Sequence, residues 1–264
     1  MTHSIRTEQL SKHFGDNLAV NCLDLEIEPG TFFCFLGPNG AGKTTTIKML
    51  TGLLHPSSGR ALLGGFDISR QPVEAKRLLG YVPDHPFLYD KLTGNEFMRF
   101  VAGLYRMSDS DFRMRCGSLL DMFELAGVAD QLIEDYSHGM RQKLSFASCF
   151  LHDPRIVIVD EPWVGLDPKN IRFVKNFLRQ KCRETGLTVF MSTHTLGIAE
   201  EIADLIGIIN HGLLKAVGTV SDIKKLHHHP GSLEDVFLEI TRETEEIPIQ
   251  PGVAISAQAG GARS

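Results

Sequence analysis

The sequence predicts an α/β fold: a mostly parallel sheet with an N-terminal antiparallel β portion and an inserted α-helical subdomain. Three observations carry that expectation. Two short runs, Thr31 to Leu36 and Ile156 to Val159, are almost wholly apolar, the pattern of strands covered on both faces in a parallel sheet. A glycine-rich segment, Gly37 to Gly42, separates the first run from residues with helical periodicity, giving the order strand, loop, helix. From about Gly94 to Leu151 no stretch reads as a strand, while apolar residues recur at helical intervals.

Taken in order, Ser4 to Leu10 and Leu18 to Ile27 are extended segments. In the second, Leu23, Leu25 and Ile27 alternate with Asp24 and Glu26, as in a half-exposed antiparallel strand. Pro29-Gly30 makes a turn into the apolar run at Thr31. Lys43 to Leu53 carries Ile47, Leu50 and Leu54 at helical spacing until His55-Pro56-Ser57-Ser58-Gly59 ends it. Phe97, Phe100, Val101 and Leu104, then Leu119, Leu120, Met122, Phe123 and Leu125, mark the helical insertion, expected over about residues 86–151. The α/β rhythm resumes with Ile156 to Val159, a helix near Pro168 to Glu184, a strand Thr188 to Ser192, a helix near Leu196 to Ala203 and a strand Leu205 to Asn210. The core sheet is therefore expected from two separated pieces, within a single domain over residues 1–240. Past about Glu245 the composition turns to Pro, Gly, Ala, Ser and Gln, so residues 241–264 are expected to form a disordered tail.

The chain has 264 residues, a length that suits one or two domains. With 27 basic and 32 acidic side chains its net charge is −5, and it lacks the positive field that drives nucleic-acid binding, so no nucleic-acid partner is expected. Cys22, Cys34, Cys116, Cys149 and Cys182 are scattered and include no C-x-x-C pair, as in reduced thiols. Met1 to Leu10 has no apolar core of a signal peptide, and the apolar runs fall far short of the roughly 20 residues of a spanning helix. The expected location is cytoplasmic, with any membrane role exercised through a partner.

Gly37-Pro38-Asn39-Gly40-Ala41-Gly42-Lys43-Thr44 fits G-x-x-x-x-G-K-[ST], between a strand and a helix as that motif requires. Its glycines let backbone N–H groups turn around phosphate oxygens, the helix N-terminus adds partial positive charge, Lys43 supplies a cation, and Thr44 offers a hydroxyl to magnesium. Thr45, in the same first turn, joins the phosphate-binding set. Ile156 to Val159 ends in Asp160-Glu161, at the end of a parallel strand where ligands bind. Asp160 suits the outer shell of Mg2+, and Glu161 is the candidate to orient or deprotonate an attacking water.

With these two elements the chain resembles the ATP-binding subunits of ABC transporters, from about Ser4 to Leu226, and the segments Pro83 to Gly94 and Tyr136 to Met140 together resemble the bacterial export-type subunits. Ser137-His138-Gly139-Met140-Arg141-Gln142-Lys143 occupies the place of that family's signature, Gly165-Leu166-Asp167 is similar to its D-loop, and Ser192-Thr193-His194 to its switch-histidine loop. The resemblance implies a RecA-like P-loop NTPase core and a head-to-tail dimer of two ATPase subunits, identical or different, with ATP between the phosphate loop of one and the signature of the other. It implies hydrolysis of ATP with Mg2+, driving export through a separate integral membrane permease, on the inner face of the cell membrane. It places Phe14 against adenine, Asp167 among the nucleotide-binding residues, and His194 on the γ-phosphate near Glu161. Ser137 precedes a helix it can cap, and with the Gly139 N–H it can face the γ-phosphate.

Two motifs depart from the family's commonest pattern. His138 and Met140 stand where Gly and Gln are frequent, and Asp84 stands where most members carry a glutamine that touches magnesium. Asp84 still offers a metal ligand but adds negative charge and removes an amide donor. Phe87, Leu88 and Tyr89 either contact a helix of the membrane partner or belong to the core of the helical insertion. His227-His228-His229 reads as a solvated turn rather than a metal site. A soluble ATPase acting on a macromolecular complex, or an ATP-gated module without turnover, are the alternative readings.

Overall fold

In the computed structural model, residues 3–163, 166–226 and 232–242 are described. The alternation read in the N-terminal segments is what pairs them. β1 (Ile5–Phe14) runs antiparallel to β2 (Asn17–Ile27), with Ile5 opposite Ile27 and Thr7 opposite Leu25. Leu23, Leu25 and Ile27 point inward while Asp24 and Glu26 face out. Two strands that the sequence reading missed complete this sheet: β4 (Ser58–Leu63) pairs with β1, and β5 (Phe66–Asp67) folds back on β4 through Gly64-Gly65, both at positive φ. The order is β2-β1-β4-β5.

The second sheet has the order β10-β9-β3-β8-β7-β6. β3 (Phe32–Leu36), β6 (Leu79–Val82), β7 (Ile156–Asp160), β8 (Thr188–Thr193) and β9 (Leu205–Asn210) are parallel, and β10 (Leu213–Gly218) closes one edge antiparallel to β9. β3 and β7 are buried at every residue, which explains their unbroken apolar sequences. Strand alternation then divides β3 between two cores. Phe32, Cys34 and Leu36 face a core shared with the inserted helices, whereas Phe33 and Phe35 face one shared with the first sheet. On that side the rings of Phe33 and Phe35 each lie 5.3 Å from Phe190.

Helices cover the sheet. α1 (Lys43–Leu50) follows β3, and the short α2 (Pro72–Arg77) precedes β6. Between β6 and β7 come α3 (Gly94–Leu104), α4 (Asp109–Met122) and α5 (His138–Phe150). The first has a reciprocal Thr93/Glu96 cap; the next two are capped by Ser108 and Ser137. α6 (Pro168–Thr185) starts at the Asp167 cap and ends at Gly186 in the left-handed region; α7 (Leu196–Ile202), α8 (Val220–Leu226) and α9 (Leu233–Arg242) follow. The insertion is joined to the rest by aromatic contacts: Phe123, just past α4, meets Phe173 and Phe177 of α6 edge-on at 5.4 and 5.5 Å. At the other end the Tyr105 and His152 rings stack 3.6 Å apart, and His152 Nε2 lies 3.0 Å from the Leu79 carbonyl at the start of β6.

The His227 to His229 turn, most of the tail expected over residues 241–264, and Val164 and Gly165 lie outside the described residues. No helix among the described residues is long and apolar enough to cross a membrane.

Candidate active site

Three strand ends meet at one place. β3 feeds the Gly37–Gly42 loop into α1, β7 ends in Asp160-Glu161, and β8 ends in Ser192-Thr193 followed by His194. Because these strands are parallel and adjacent, their C-terminal ends converge on the same edge of the sheet, with Asp160 in register with Ser192.

The loop is built for close approach. A Cβ at Gly37 would lie 2.4 Å from the Ile209 carbonyl oxygen, and one at Gly42, whose φ is +109°, would lie 2.6 Å from that of Ala19. Only glycine fits either position without displacing backbone. Asn39 and Gly40 are exposed at the tip, with Pro38 half-buried beside them and Ala41 buried behind. Gly42 caps α1 without a side-chain hydrogen bond, so the helix opens with backbone N–H groups available to an anion. Thr44 is exposed and Thr45 half-buried in that first turn.

Lys43 is buried, and its Nζ donates to the carbonyl oxygens of Gly37 at 2.7 Å and Pro38 at 3.2 Å. Burial lowers its pKa, a shift opposed by the charges of Glu161 and Asp160. Glu161 lies between Lys43 and His194: Oε1 is 3.8 Å from Lys43 Nζ, and Oε2 is 2.9 Å from His194 Nδ1. The Glu161 backbone has φ +43°, in the left-handed region that non-glycine residues rarely adopt. Its N–H donates to the Ser192 hydroxyl at 3.1 Å and approaches the Ser192 carbonyl at 3.3 Å. The same Ser192 hydroxyl donates to Asp160 Oδ1, and the Thr44 hydroxyl also bonds the Asp160 carboxylate. Burial raises the Asp160 pKa despite those two hydroxyls.

Ser192 thus fixes the Asp160 carboxylate and the Glu161 backbone, a role the sequence reading did not assign; its only advance signal is its place at the end of a strand. Tyr81 on β6 was also not singled out. Burial raises its hydroxyl pKa, with further contributions from Asp160 and Asp84. Asp84 acts on Asp160 through charge, while its own carboxylate accepts from the His85 N–H at 2.8 Å and lies 3.0 Å from His85 Nδ1.

The remaining expected residues stand on other elements. Phe14 is half exposed at the β1–β2 hairpin, with Lys12 Nζ 5.3 Å from its ring centroid. Ser137 is exposed, and its hydroxyl accepts from the Met140 N–H at 3.3 Å; Gly139 lies in the same first turn of α5. Met140 packs against the core from this turn. Asp167 is exposed and caps α6, accepting from the Asn170 N–H at 2.8 Å. Phe87 and Tyr89 are exposed, whereas Leu88 packs against the core. The one chain therefore gathers Lys43, Thr44, Asp160, Glu161, Ser192 and His194, and presents Ser137, Gly139 and Asp167 at helix starts where their bonds stay within their own helices.

The sequence profile of the ABC transporter family matches residues 20–164, more than half of the chain. The chain belongs to the ABC transporter ATP-binding subunits. Among its relatives, the linearmycin resistance ATP-binding protein LnrL of Bacillus subtilis is 34% identical over 219 residues, 83% of this chain and 70% of the relative. The bacitracin transport ATP-binding protein BcrA of Enterococcus faecalis is 33% identical over 259 residues, 96% of this chain and 83% of the relative. A solved ATP-binding subunit of an ABC transporter superposes with a TM-score of 0.85 at 31% identity, over 89% of this chain and 98% of that one. A dimeric ATP-binding cassette bound to ADP and Pi shares the fold, with a TM-score of 0.74 at 24% identity over 81% of this chain and 98% of that one. Like other ABC ATP-binding subunits, the chain is an ATPase with an α/β P-loop core and an added antiparallel sheet.

Proposed function

We propose that Glu161 is the group that activates water for ATP hydrolysis, in a site completed by a second ATPase subunit. The observation that carries this reading is the position of its carboxylate: one oxygen faces Lys43 of the phosphate loop and the other faces His194. A base in that place reaches water beside a γ-phosphate, and His194 fixes its orientation. Lys43 exchanges the Gly37 and Pro38 carbonyls for phosphate oxygens and takes up charge as the terminal bond breaks. The N–H groups of the loop and of the uncapped α1 hold the phosphates in place.

Thr44 and Asp160 fit Mg2+: both offer hard oxygen donors, already bonded to each other, and Asp84 adds a carboxylate acting on the same region. No group of three or more His, Cys, Asp or Glu among the described residues forms a self-sufficient cage, which suits an ion that takes its other ligands from phosphates and water. When bound, Mg2+ would neutralise charge on the β- and γ-phosphates. Phe14 supplies an exposed ring for adenine. Ser137, Gly139 and Asp167 face a second subunit's nucleotide, in a head-to-tail dimer of like or unlike chains.

The relatives' names, linearmycin resistance and bacitracin transport, support export through a separate membrane permease, at the inner face of the membrane. Two experiments test the proposal. Glu161→Gln should bind ATP normally, lose turnover by at least roughly 100-fold and accumulate a closed dimer; wild-type phosphate release by that variant would remove Glu161 from the reaction. Affinity capture from detergent-solubilised membranes should recover a polytopic protein in stoichiometric amount. Recovery with ribosomal or other soluble complexes in its place would overturn the assignment to a permease.

A further inference from the structure

Glu124 lies just past the C-terminus of α4 with φ +57°, the left-handed position where a helix ending ordinarily uses glycine. Its side chain does what glycine could not. Oε2 accepts from Lys143 Nζ at 2.8 Å, and Oε1 accepts from Lys169 Nζ at 3.0 Å. Lys143 belongs to α5, one turn beyond Gly139 on the same face, and its ammonium side chain is largely buried. Lys169 belongs to the first turn of α6, two residues beyond the Asp167 cap. Lys143 also lies close enough to Asp167 for its charge to favour that carboxylate. One carboxylate therefore ties the helix that starts at Ser137 to the helix that starts at Asp167, from a third element belonging to neither.

We propose that Glu124 is a positioning residue for the ATPase reaction, setting the spacing between the Ser137–Gly139 segment and Asp167 that one subunit presents to its partner's nucleotide. The inference rests on the head-to-tail dimer proposed above. Neither lysine touches the subunit's own phosphate loop, so loss of the tie leaves ATP binding by the single chain intact and weakens the step in which two chains close. The residue retained at α4's end is explained on the same ground: a strained backbone persists where its side chain is in use.

The test uses Glu161→Gln as the parent, in which ATP stays unhydrolysed. Into it are placed Glu124→Gly, which suits the left-handed backbone and so should fold at least as well, Lys169→Met, and both together. ATP affinity of the single chain is read from the fluorescence of Trp163, the chain's only tryptophan, which stands two residues after position 161. Dimer formation with ATP is read by sedimentation equilibrium. Glu124→Gly should keep ATP affinity within about twofold and the melting temperature at or above the parent's, while weakening the ATP-dependent dimer roughly tenfold. The double variant should be no weaker than Glu124→Gly alone, since both changes break one tie. Equal dimerisation by Glu124→Gly and its parent would overturn the proposal, as would a parallel fall in ATP affinity, dimerisation and melting temperature, which marks a structural role only. If the Glu161→Gln parent itself fails to dimerise with ATP, the head-to-tail reading falls and takes this inference with it.

Discussion

At the end of β7 two neighbouring carboxylates meet different surroundings. Asp160 is almost wholly buried and receives two hydroxyls, whereas Glu161 is partly open and lies between Lys43 and His194. Burial raises the Asp160 pKa above its ordinary 3.8, so the folded chain binds that proton more readily than the unfolded one. Stability therefore falls as pH rises from 3.8 through the raised value, and at neutral pH the ionised group is a net cost. Asp160→Asn is expected to raise the melting temperature of the nucleotide-free protein. The same change should lower ATP turnover by at least roughly 10- to 100-fold, because it removes charge from the metal-binding position. Calorimetry paired with a phosphate-release assay checks both, and a less stable Asp160→Asn protein would refute the cost. Asp160, Glu161 and Lys43 were legible in the sequence because each follows an uninterrupted apolar strand or a glycine loop. Ser192 was not: one serine after Thr188 to Met191 gives no hint that its hydroxyl bonds both to Asp160 and to the Glu161 N–H, which only the register of β7 against β8 creates.

At the scale of elements, what was legible follows from periodicity and what was not follows from its absence. β2, β3, β7 and α6 each carry a full alternating, apolar or helical pattern. β4 begins Ser58-Gly59-Arg60, turn-forming residues that enter a sheet only because β1 lies alongside, and β6 contains Gly80, whose missing side chain admits Cys149. Ser137 shows how an element can serve two ends. As a cap it holds the Met140 N–H, and Ser137→Ala should cost about 1 kcal/mol of stability. Ser137→Asp caps equally well but aims a carboxylate where a partner's γ-phosphate would lie. It is expected to melt like wild type and to lose ATP-dependent dimerisation, and undiminished dimerisation would leave Ser137 only a cap. At the far end of α5, His152 stacked on Tyr105 reaches the Leu79 carbonyl, and burial lowers its pKa from 6.5 to about 4. The folded chain therefore holds fewer protons than the unfolded one between those values, so stability should be full above pH 6.5 and decline by up to about 3 kcal/mol as pH falls to 4. Denaturant titrations of wild type and His152→Phe, which keeps a ring for the stack, should differ in slope across that interval; identical pH profiles would refute it.

For the whole molecule, the decisive feature is that the strand carrying the phosphate loop belongs to both cores. Phe33 and Phe35 are packed with the antiparallel sheet, and Phe32, Cys34 and Leu36 with the inserted helices, so displacing β3 opens both cores at once. A ligand held on the loop at the end of this strand should therefore stabilise the two cores together. At 100 times its dissociation constant, ATP should add about 2.7 kcal/mol by mass action, moving the melting temperature of a chain this size by roughly 5–10 °C. The expected calorimetric trace is one transition that moves as a whole with ATP concentration. Lys43→Ala should abolish the movement without splitting the transition, because among the described residues the lysine bonds to the loop carbonyls and faces Glu161, all of them within the site. Two transitions, of which ATP moves one, would mean that the inserted helices and the antiparallel sheet unfold independently, and that the shared strand does not transmit binding between them.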